Sequence, residues 1–276
     1  AADFGDWNMS EKFSGTRAVA PQHAFDVGRL ADWMKAHVDG FRGDLSVEQF
    51  KGGQSNPTFL LSAGDHRYVM RRKPPGKLLP SAHAVDREYR VISALAGTGV
   101  PVARSYALCE DDAVIGTAFY IMDYVGGRII WDPAVPDVTP AERTAIFDEL
   151  NRVIAALHSV DYDAVGLGDY GKPGSYLERQ VGRWSKQYKA SETEPIPAMD
   201  HLMEWLPQHI PPGDETRITH GDYRLDNVIF HPTEPRILAV LDWELSTLGH
   251  PLADFAYHCM TWRLSPNQFR GLVGYD

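Results

Sequence analysis

The chain of 276 residues has an ordinary globular composition, with 43% hydrophobic and 23% charged residues, and is long enough for one large or two modest domains. Its formal net charge of −10 argues against nonspecific binding to nucleic acids or anionic membranes, which requires a basic face. No apolar run approaches the length of about 20 residues that spans a bilayer, and we find no signal-peptide pattern. The two cysteines, Cys109 and Cys259, predict no disulfide framework and favour a cytoplasmic location.

The N-terminal third predicts a small antiparallel sheet preceded by a helix. Residues 1–24 lack hydrophobic periodicity, and we interpret them as a leader segment. Residues 25–38 place apolar side chains at helical spacing. The strands that follow are predicted at residues 45–50, 58–62 and 67–72, with a turn at residues 63–66.

A glycine-containing turn lies between the first two of these strands and includes Gly53, Ser55 and Asn56. Glycines let the backbone approach a phosphate closely, and serine and asparagine side chains can donate hydrogen bonds to it. The position of the turn ahead of a strand that ends in Arg71 favours phosphate contact over an ordinary hairpin.

A helix at residues 85–96, which carries Glu88, and strands at residues 100–109 and 117–122 complete the predicted N-lobe, residues 25–122. Residues 123–127 read as a hinge, and residues 128–276 form a mainly helical C-lobe. Its predicted helices and strands are residues 140–158, 175–188, 198–208, 228–231, 236–241 and 251–262, the first opened by a capping box at Thr139.

The motif His220–Asn227, which reads H-x-D-x-x-x-x-N, carries the functional signal. Phosphoryl transfer from ATP requires a carboxylate that orients the attacking hydroxyl and accepts its proton, and an amide and a second carboxylate that hold Mg²⁺. Asp222 fits the first role, and Asn227 and Asp242 fit the other two, because a predicted strand delivers Asp242 beside the loop. The pattern predicts a kinase-type active site that uses ATP and Mg²⁺.

With these residues in view, the chain resembles the aminoglycoside phosphotransferase and choline-kinase-like family. Within it, the closest likeness is to the branch related to kinase-like domains attached to some acyl-CoA dehydrogenases. The resemblance covers roughly residues 25–276, and its matching strings are Gly52–Asn56, Tyr68–Gly76, Arg87–Tyr89, Phe119–Met122, His220–Asn227 and Leu241–Asp254. It implies an α+β, bilobal, protein-kinase-like fold with an antiparallel sheet and a helix in the N-lobe.

The resemblance also implies a role for each site residue. Asp222 would be the catalytic base, Asn227 and Asp242 would ligate Mg²⁺, Asp254 would brace the catalytic loop through its backbone amides, and His220 would hydrogen-bond within that loop. The implied ATP-binding residues are Gly53, Ser55, Asn56, Arg71, Glu88, Asp123, Tyr124 and Val125. Among them, Glu88 would pair with the phosphate-contacting cation, and residues 123–125 would hold adenine with backbone groups.

The chain departs from the family pattern at two positions and at its end. Most relatives carry lysine on the third strand, whereas this chain has Arg71; we prefer it to Lys73 because alternation places Val69 and Arg71 on one face. Many antibiotic kinases carry histidine where Arg224 stands, which weakens an antibiotic as substrate. Family members usually continue through further C-terminal helices, so we expect part of the substrate wall to be missing.

Other site classes fit the sequence less well. Residues 166–171 match GxGxxG, but they follow a predicted helix and are soon followed by Pro173, so they do not open a dinucleotide-binding helix. Eleven histidines occur, yet the sequence contains no HExxH, no CxxC and no GxSxG elbow.

We therefore expect a phosphotransferase that uses Mg·ATP to phosphorylate a hydroxyl of a small molecule. A hydroxyacyl-CoA is one candidate acceptor, and an aminoglycoside or other amino alcohol is another, for which surplus acidic residues such as Asp169 and Glu178 would be suited. A nucleotide-binding regulator without turnover is the alternative of a different class. Candidate substrate contacts are Arg224, Arg179 and Trp184, although the last two are equally expected in packing between helices.

Overall fold

The computed structural model of the chain describes residues 14–52, 56–74, 84–268 and 270–274. Its helices are Val27–His37 (α1), Val85–Leu95 (α2), Asp112–Ile115 (α3), Pro140–His158 (α4), Tyr176–Ser191 (α5), Pro197–Trp205 (α6) and Pro251–Cys259 (α7). Its strands are Thr16–Arg17 (β1), Leu45–Phe50 (β2), Thr58–Ala63 (β3), His66–Arg72 (β4), Ser105–Cys109 (β5), Phe119–Asp123 (β6), Arg217–Thr219 (β7), Val228–Phe230 (β8), Ile237–Val240 (β9) and Thr247–Gly249 (β10). Short 3₁₀ turns lie at Pro21–His23, Leu206–Gln208, Leu225–Asn227, Trp243–Leu245 and Met260–Arg263.

The first six strands form one antiparallel sheet in the order β1-β2-β3-β4-β6-β5. Successive side chains of a strand point to opposite faces, so the sheet contributes to two hydrophobic clusters. On one face of the sheet, Met70 belongs to a hydrophobic cluster that includes Leu30 of α1. On the other face, Val69 belongs to a cluster that includes buried residues of α2. Arg71 follows Val69 by two residues on β4 and therefore lies on the face of α2.

The predicted helix at residues 25–38 and the strands at residues 45–50, 58–62 and 67–72 are confirmed to within two residues. Within the segment that we interpret as a leader, Thr16 and Arg17 pair with Phe50 and Gln49 and add an edge strand, β1, to the sheet. A strand of two residues is too short to produce a detectable periodicity.

The predicted strand at residues 100–109 is shorter in the structure, where β5 begins at Ser105. The residues before it approach β9 instead, and the backbone N–H of Val240 donates to the carbonyl of Pro101 at 2.9 Å. Residues 110 and 111, which follow β5, lead into the short helix α3. The carboxylate of Asp111 caps this helix by accepting from the backbone N–H of Ala113 at 2.9 Å.

Helix α4 is the buried centre of the helical part. Thr139 and Glu142 form the predicted capping box, and one side of the helix is buried through Ile146, Leu150, Val153, Ile154 and Leu157. Helices α5 and α6 contribute no buried residue and lie at the surface. The predicted strand pair at residues 228–231 and 236–241 is confirmed as β8 and β9.

A second small sheet, β7 with β10, was not predicted from the sequence. Each strand has three residues, and this length is below that at which alternation can be recognised. The predicted helix at residues 251–262 is divided into α7 and a 3₁₀ turn. None of the helices in the described part of the chain is both long and apolar enough to cross a bilayer.

Candidate active site

The two small sheets bring the H-x-D-x-x-x-x-N loop, residues 220–227, together with Asp242. The loop connects β7 to β8, and the end of β9 leads into Asp242. The backbone N–H of Leu241 donates to the carbonyl of Asn227 at 2.8 Å. The two segments that the sequence predicts to bind metal are therefore joined by a main-chain hydrogen bond.

Gly221 allows the loop to turn sharply. Its φ is +87°, a conformation that favours glycine, and a Cβ atom there would lie 2.8 Å from the carbonyl oxygen of Leu245. A side chain at this position would therefore be disfavoured by both backbone conformation and space.

Asp254, in the first turn of α7, holds the start of the loop. Its carboxylate accepts from the backbone N–H of His220 at 2.6 Å and from that of Gly221 at 2.8 Å. The side chain of Asp254 is 3% exposed, and His158 Nε2 lies 3.2 Å from it. Asp254 thus occupies the position that the resemblance implied for it.

His220 connects the catalytic loop to the segment that carries Asp242. Its Nδ1 accepts from the backbone N–H of Asp222 at 3.2 Å, and its Nε2 lies 2.7 Å from the carbonyl oxygen of Leu241. Since a carbonyl oxygen only accepts hydrogen bonds, the ring hydrogen is on Nε2. The fully buried ring therefore fixes the spacing of the two segments.

The carboxylate of Asp222 has neighbours on both oxygens. Asn227 Nδ2 donates to Oδ2 at 2.9 Å and to the Asp222 carbonyl at 2.8 Å, and Arg224 Nε lies 3.1 Å from Oδ1. The Asp222 side chain remains 20% exposed. Asp222 is therefore held in place and still accessible to a small molecule.

Two further residues that contact the loop of residues 220–227 were not identified from the sequence. Tyr257 on α7 hydrogen-bonds to Asp222, and burial together with this carboxylate raises the pKa of Tyr257 to about 12. Arg270 Nη1 lies 2.6 Å from Oδ1 of the buried Asp226. Tyr257 could have been suspected because it follows Asp254 by three residues on one helix; Arg270 gave no such signal.

Arg71 lies between Glu88 and Asp242. Its Nε is 3.0 Å from Glu88 Oε2, and its Nη2 is 3.2 Å from Asp242 Oδ1. Burial opposes the charge on Arg71, but the carboxylates of Glu88 and Asp242 outweigh it and raise the pKa of the guanidinium. Lys73 instead lies 3.6 Å from Asp86, so Arg71 is the one of these two cations that contacts Glu88.

Glu88 is the centre of a buried polar cluster. Its side chain is 1% exposed and accepts from Asn56 Nδ2 at 2.7 Å and from the Tyr120 hydroxyl at 3.0 Å. Burial and the neighbouring Glu88 keep the pKa of Tyr120 well above its ordinary value. The side-chain amide nitrogen of Asn56, expected at a phosphate, is thus directed to Glu88. The other expected phosphate contacts, Gly53 and Ser55, lie outside the described residues.

The predicted adenine-binding stretch, residues 123–125, begins at the last residue of β6. The backbone N–H of Asp123 donates to the carbonyl of Arg104 at 2.8 Å, and that of Tyr124 donates to the carbonyl of Arg67 at 3.2 Å. Within the described ranges, the backbone N–H of Val125 has no hydrogen-bond acceptor. Val125 therefore offers the one amide of this stretch that a base could use.

The two substrate candidates on α5 have their recorded contacts near their own helix. Arg179 donates to the carbonyls of Gly174 and Lys172, the latter at 2.6 Å, and so braces the loop that precedes its own helix. Trp184 is 55% exposed, with the guanidinium of Arg183 over its ring at 5.1 Å. Of the three candidates, Arg224 alone contacts Asp222 among the described residues.

The donor set at Asn227 and Asp242 fits a magnesium ion that is shared with a nucleotide. Both hydrogen bonds of the Asn227 side chain use Nδ2, which leaves its Oδ1 as a ligand, and the Asp242 side chain is 36% exposed. In the part of the chain that the structure describes, no cluster of three or more His, Cys, Asp or Glu side chains could hold a metal. Mg²⁺ commonly takes one or two protein oxygens and completes its shell with phosphates and water.

Comparisons with known proteins identify the family of the chain. The sequence profile of the phosphotransferase enzyme family matches residues 46–275. Acyl-CoA dehydrogenase family member 10 of Mus musculus is 51% identical over 94% of this chain, and family member 11 of Gallus gallus is 51% identical over 88%. The chain spans only 24% and 32% of these two relatives.

Solved structures show the same fold. A crystal structure from Ralstonia eutropha JMP134, assigned as an aminoglycoside phosphotransferase, is 66% identical with a TM-score of 0.85, covering 92% of this chain and 75% of that one. A macrolide 2′-phosphotransferase from Brachybacterium faecium is 19% identical with a TM-score of 0.59, covering 85% and 77%, and supports the fold alone. The predicted kinase-like α+β fold and the family resemblance are confirmed. The chain belongs to the phosphotransferase enzyme family.

Proposed function

We propose that the chain is a phosphotransferase that uses Mg·ATP to phosphorylate a hydroxyl of a small molecule. The observation that carries the proposal is the arrangement around Asp222: an accessible carboxylate, an amide from Asn227 beside it, and Asp242 close by with Arg71. Phosphoryl transfer depends on positioning and charge neutralisation, and these are the groups that it requires.

In this proposal each described residue has a separate task. Asp222 orients the acceptor hydroxyl and takes up its proton, and Arg71 neutralises charge on the phosphates while Glu88 holds its guanidinium. Val125 donates its backbone N–H to adenine. Magnesium, held by Asn227 and Asp242, would supply positive charge to the phosphate oxygens.

The nucleotide would lie between two lobes, residues 25–122 and residues 128–276, joined by a hinge at residues 123–127. Close packing marks the end of this hinge: Arg128 and Phe230 exchange backbone hydrogen bonds of 2.9 Å each. A Cβ atom on Gly127 would lie 2.3 Å from the Phe230 carbonyl oxygen. Glycine at residue 127 therefore permits the connection to lie against β8.

Thermal unfolding with and without Mg·ATP tests the nucleotide and metal assignments. We expect Mg·ATP to raise the Tm of the wild type by several degrees, because saturation at 100-fold above Kd contributes about 2.7 kcal/mol. In Asp242→Ala the Mg²⁺-dependent part of the shift should disappear. ATP with a chelator gives the comparison for each variant.

The shift within each variant is the readout, because Asp242→Ala also removes a partner of Arg71 and changes the Tm of the free protein. Asp137→Asn, at an exposed residue, provides a matched control that should respond as the wild type does. A folded wild type that shows no shift at millimolar Mg·ATP contradicts the proposal.

For the acceptor we propose a hydroxyacyl thioester such as a hydroxyacyl-CoA. The relatives named acyl-CoA dehydrogenase family members suggest this class, although most of their length lies outside the match. Arg224 supports it, because a guanidinium 3.1 Å from Asp222 Oδ1 attracts a carbonyl or carboxylate and repels the ammonium groups of an aminoglycoside.

Asp161 and Asp169, two of the C-lobe acidic residues that would favour an aminoglycoside, have local partners instead. Asp169 forms an ion pair with Arg90, and Asp161 accepts from the backbone N–H of Asp163 and of Ala164 at 3.1 Å each. Their charges therefore give little support to binding a polycation beside Asp222.

A panel of acceptors with radiolabelled ATP tests the acceptor class. We expect kcat/KM for a hydroxyacyl-CoA to exceed that for an aminoglycoside such as hygromycin B by at least about 100-fold, the loss of one charge interaction being worth up to several kcal/mol. In Arg224→Ala this ratio should fall. Wild-type preference for the aminoglycoside would reject the proposed acceptor without rejecting the phosphotransferase.

A nucleotide-binding regulator without turnover is a second candidate. The specific observation in its favour is the contact of Arg71 with Asp242, since the cation expected at the phosphates is paired with a carboxylate expected at the metal. Arginine also differs from lysine in reach and geometry. Substitution of Asp222 distinguishes the two candidates.

A further inference from the structure

The segment Gly166–Gly171 matches GxGxxG and lies between α4 and α5. It packs closely against other residues of the chain. A Cβ atom on Gly168 would lie 2.4 Å from Asp163 Oδ1, and one on Gly171 would lie 2.5 Å from Thr247 Oγ1. Real Cβ atoms do not approach other atoms this closely. The glycines thus allow the segment to fit between neighbouring parts of the chain.

The segment forms a docking surface for helix α2. Arg87 Nη2 donates to the Tyr170 carbonyl at 2.6 Å, and the Arg87 guanidinium lies over the Tyr170 ring at 4.1 Å. Three residues further along the helix, Arg90 donates to the Gly166 carbonyl at 2.8 Å and pairs with Asp169. Two successive turns of α2 are therefore attached to the same segment.

Tyr170 also contacts the residues that follow Asp242. Its hydroxyl is 2.6 Å from Ser246 Oγ, which itself donates to the Trp243 carbonyl at 2.6 Å. The Tyr170 hydroxyl also donates to the carbonyl of Arg87 at 3.3 Å, so this one group contacts both α2 and the segment after Asp242. The tyrosine is 1% exposed, so water does not replace its bond to Ser246.

The orientation of Glu88 depends on this attachment. Adjacent residues of a helix point about 100° apart, so Arg87 is directed at Tyr170 while Glu88 is directed at Arg71. Arg71 in turn contacts Asp242, four residues before Ser246. A closed circuit of contacts thus runs from α2 through Tyr170 to the Asp242 segment and back through Arg71.

We propose that Tyr170 and Arg87 are positioning residues for phosphoryl transfer: they fix α2 against the segment after Asp242, so that Glu88 holds Arg71 at the nucleotide. This inference rests on the proposed function and adds a task for the GxGxxG segment. Neither residue contacts the reacting groups. The same contacts could serve only the stability of the fold. The test therefore measures nucleotide affinity and local amide exchange, which a purely structural role would not change together.

Tyr170→Phe is the informative variant, because it retains the ring beneath Arg87 and removes only the hydroxyl. We expect the Kd for Mg·ATP to rise and kcat/KM for ATP to fall by about tenfold each, the order of one buried hydrogen bond, with KM for the acceptor unchanged. Amide hydrogen exchange across residues 85–95 should become faster in the nucleotide-free protein. Arg87→Met should act in the same direction.

Tyr89→Phe is the matched control on the same helix, because its ring contacts Tyr120 and, among the described residues, its hydroxyl has no hydrogen-bond partner. It should leave exchange and Mg·ATP binding as in the wild type. Unchanged exchange in Tyr170→Phe overturns the positioning role, and so does faster exchange with unaltered nucleotide affinity. Failure of the wild type to bind Mg·ATP rejects the proposed function itself, whereas these two outcomes reject only the role of Tyr170.

Discussion

Asp222→Asn is expected to lower the rate of phosphoryl transfer by about 10²–10⁴-fold, the usual contribution of a general base, while Mg·ATP binding changes little. The carboxamide has nearly the shape of the carboxylate but cannot take up the proton of the acceptor hydroxyl. Asn227 and Asp242, the proposed metal ligands, are unchanged. The loss should therefore appear in kcat, measured with the best acceptor of the panel.

The neighbours of Asp222 predict how well the variant retains its geometry. The amide oxygen of the new side chain can still accept from Asn227 Nδ2, which now lies 2.9 Å from Oδ2. Arg224 loses the negative charge next to its Nε, and its side chain becomes free to move toward the acceptor. Some change in acceptor KM is consequently expected along with the fall in kcat.

The same variant separates the enzyme from the regulator. If wild type and Asp222→Asn are equally inert with every hydroxyl acceptor while both bind Mg·ATP, the regulator gains support. Asp137→Asn, at an exposed aspartate, should keep full activity and excludes a general effect of removing one charge. Equal, substantial activity in Asp222→Asn would remove Asp222 from the role of base.

Local patterns were sufficient to predict where the main site residues lie. Alternation along β4 indicated that Arg71 lies on the face of α2, where its guanidinium contacts Glu88. The apolar strand before Asp242 was enough to place that residue beside Asn227. These inferences worked because each depends on a periodicity of two or on a short loop between recognised elements.

Contacts between distant parts of the chain were not predictable in this way. The Arg71–Asp242 pair joins residues on opposite sides of the proposed cleft, and Arg270 reaches Asp226 from the end of the described chain. Arg179 was expected near substrate because of its helix, yet its guanidinium is taken up by carbonyls of the preceding loop. The pattern of a single sequence does not indicate which distant side chains will contact each other in the folded protein. The cytoplasmic location and the metal remain predictions.

Asp254→Ala is expected to cause the largest loss of stability. It leaves the buried backbone N–H of His220 and the partly buried N–H of Gly221 without an acceptor, and a buried unsatisfied group costs about 1–3 kcal/mol. A loss of roughly 1–4 kcal/mol, with most of it from His220, is a large fraction of the stability of an ordinary domain, about 5–15 kcal/mol. Urea unfolding should show a lower midpoint with an unchanged slope.

Asp254→Asn should be almost as unstable as Asp254→Ala. This result would show that stability depends on the two hydrogen bonds that the carboxylate accepts and not on the size of the side chain. The two carboxylate oxygens each accept one backbone N–H, from His220 at 2.6 Å and from Gly221 at 2.8 Å. Asparagine offers one oxygen and one NH₂ group, so one of the two backbone donors would face another donor. An asparagine variant within about 1 kcal/mol of the wild type, the net worth of a single hydrogen bond, would contradict this account.

Asp214→Ala is the matched control, because Asp214 also accepts a backbone N–H, from Ser175 at 2.7 Å, but at an exposed position. Water can replace the lost acceptor there, so the variant should lose no more than about 1 kcal/mol. If both alanine variants lose stability equally, burial is not the source of the effect. If only Asp254→Ala loses stability, the fold depends on the same carboxylate that shapes the loop bearing Asp222. Stability and catalysis should then decline together.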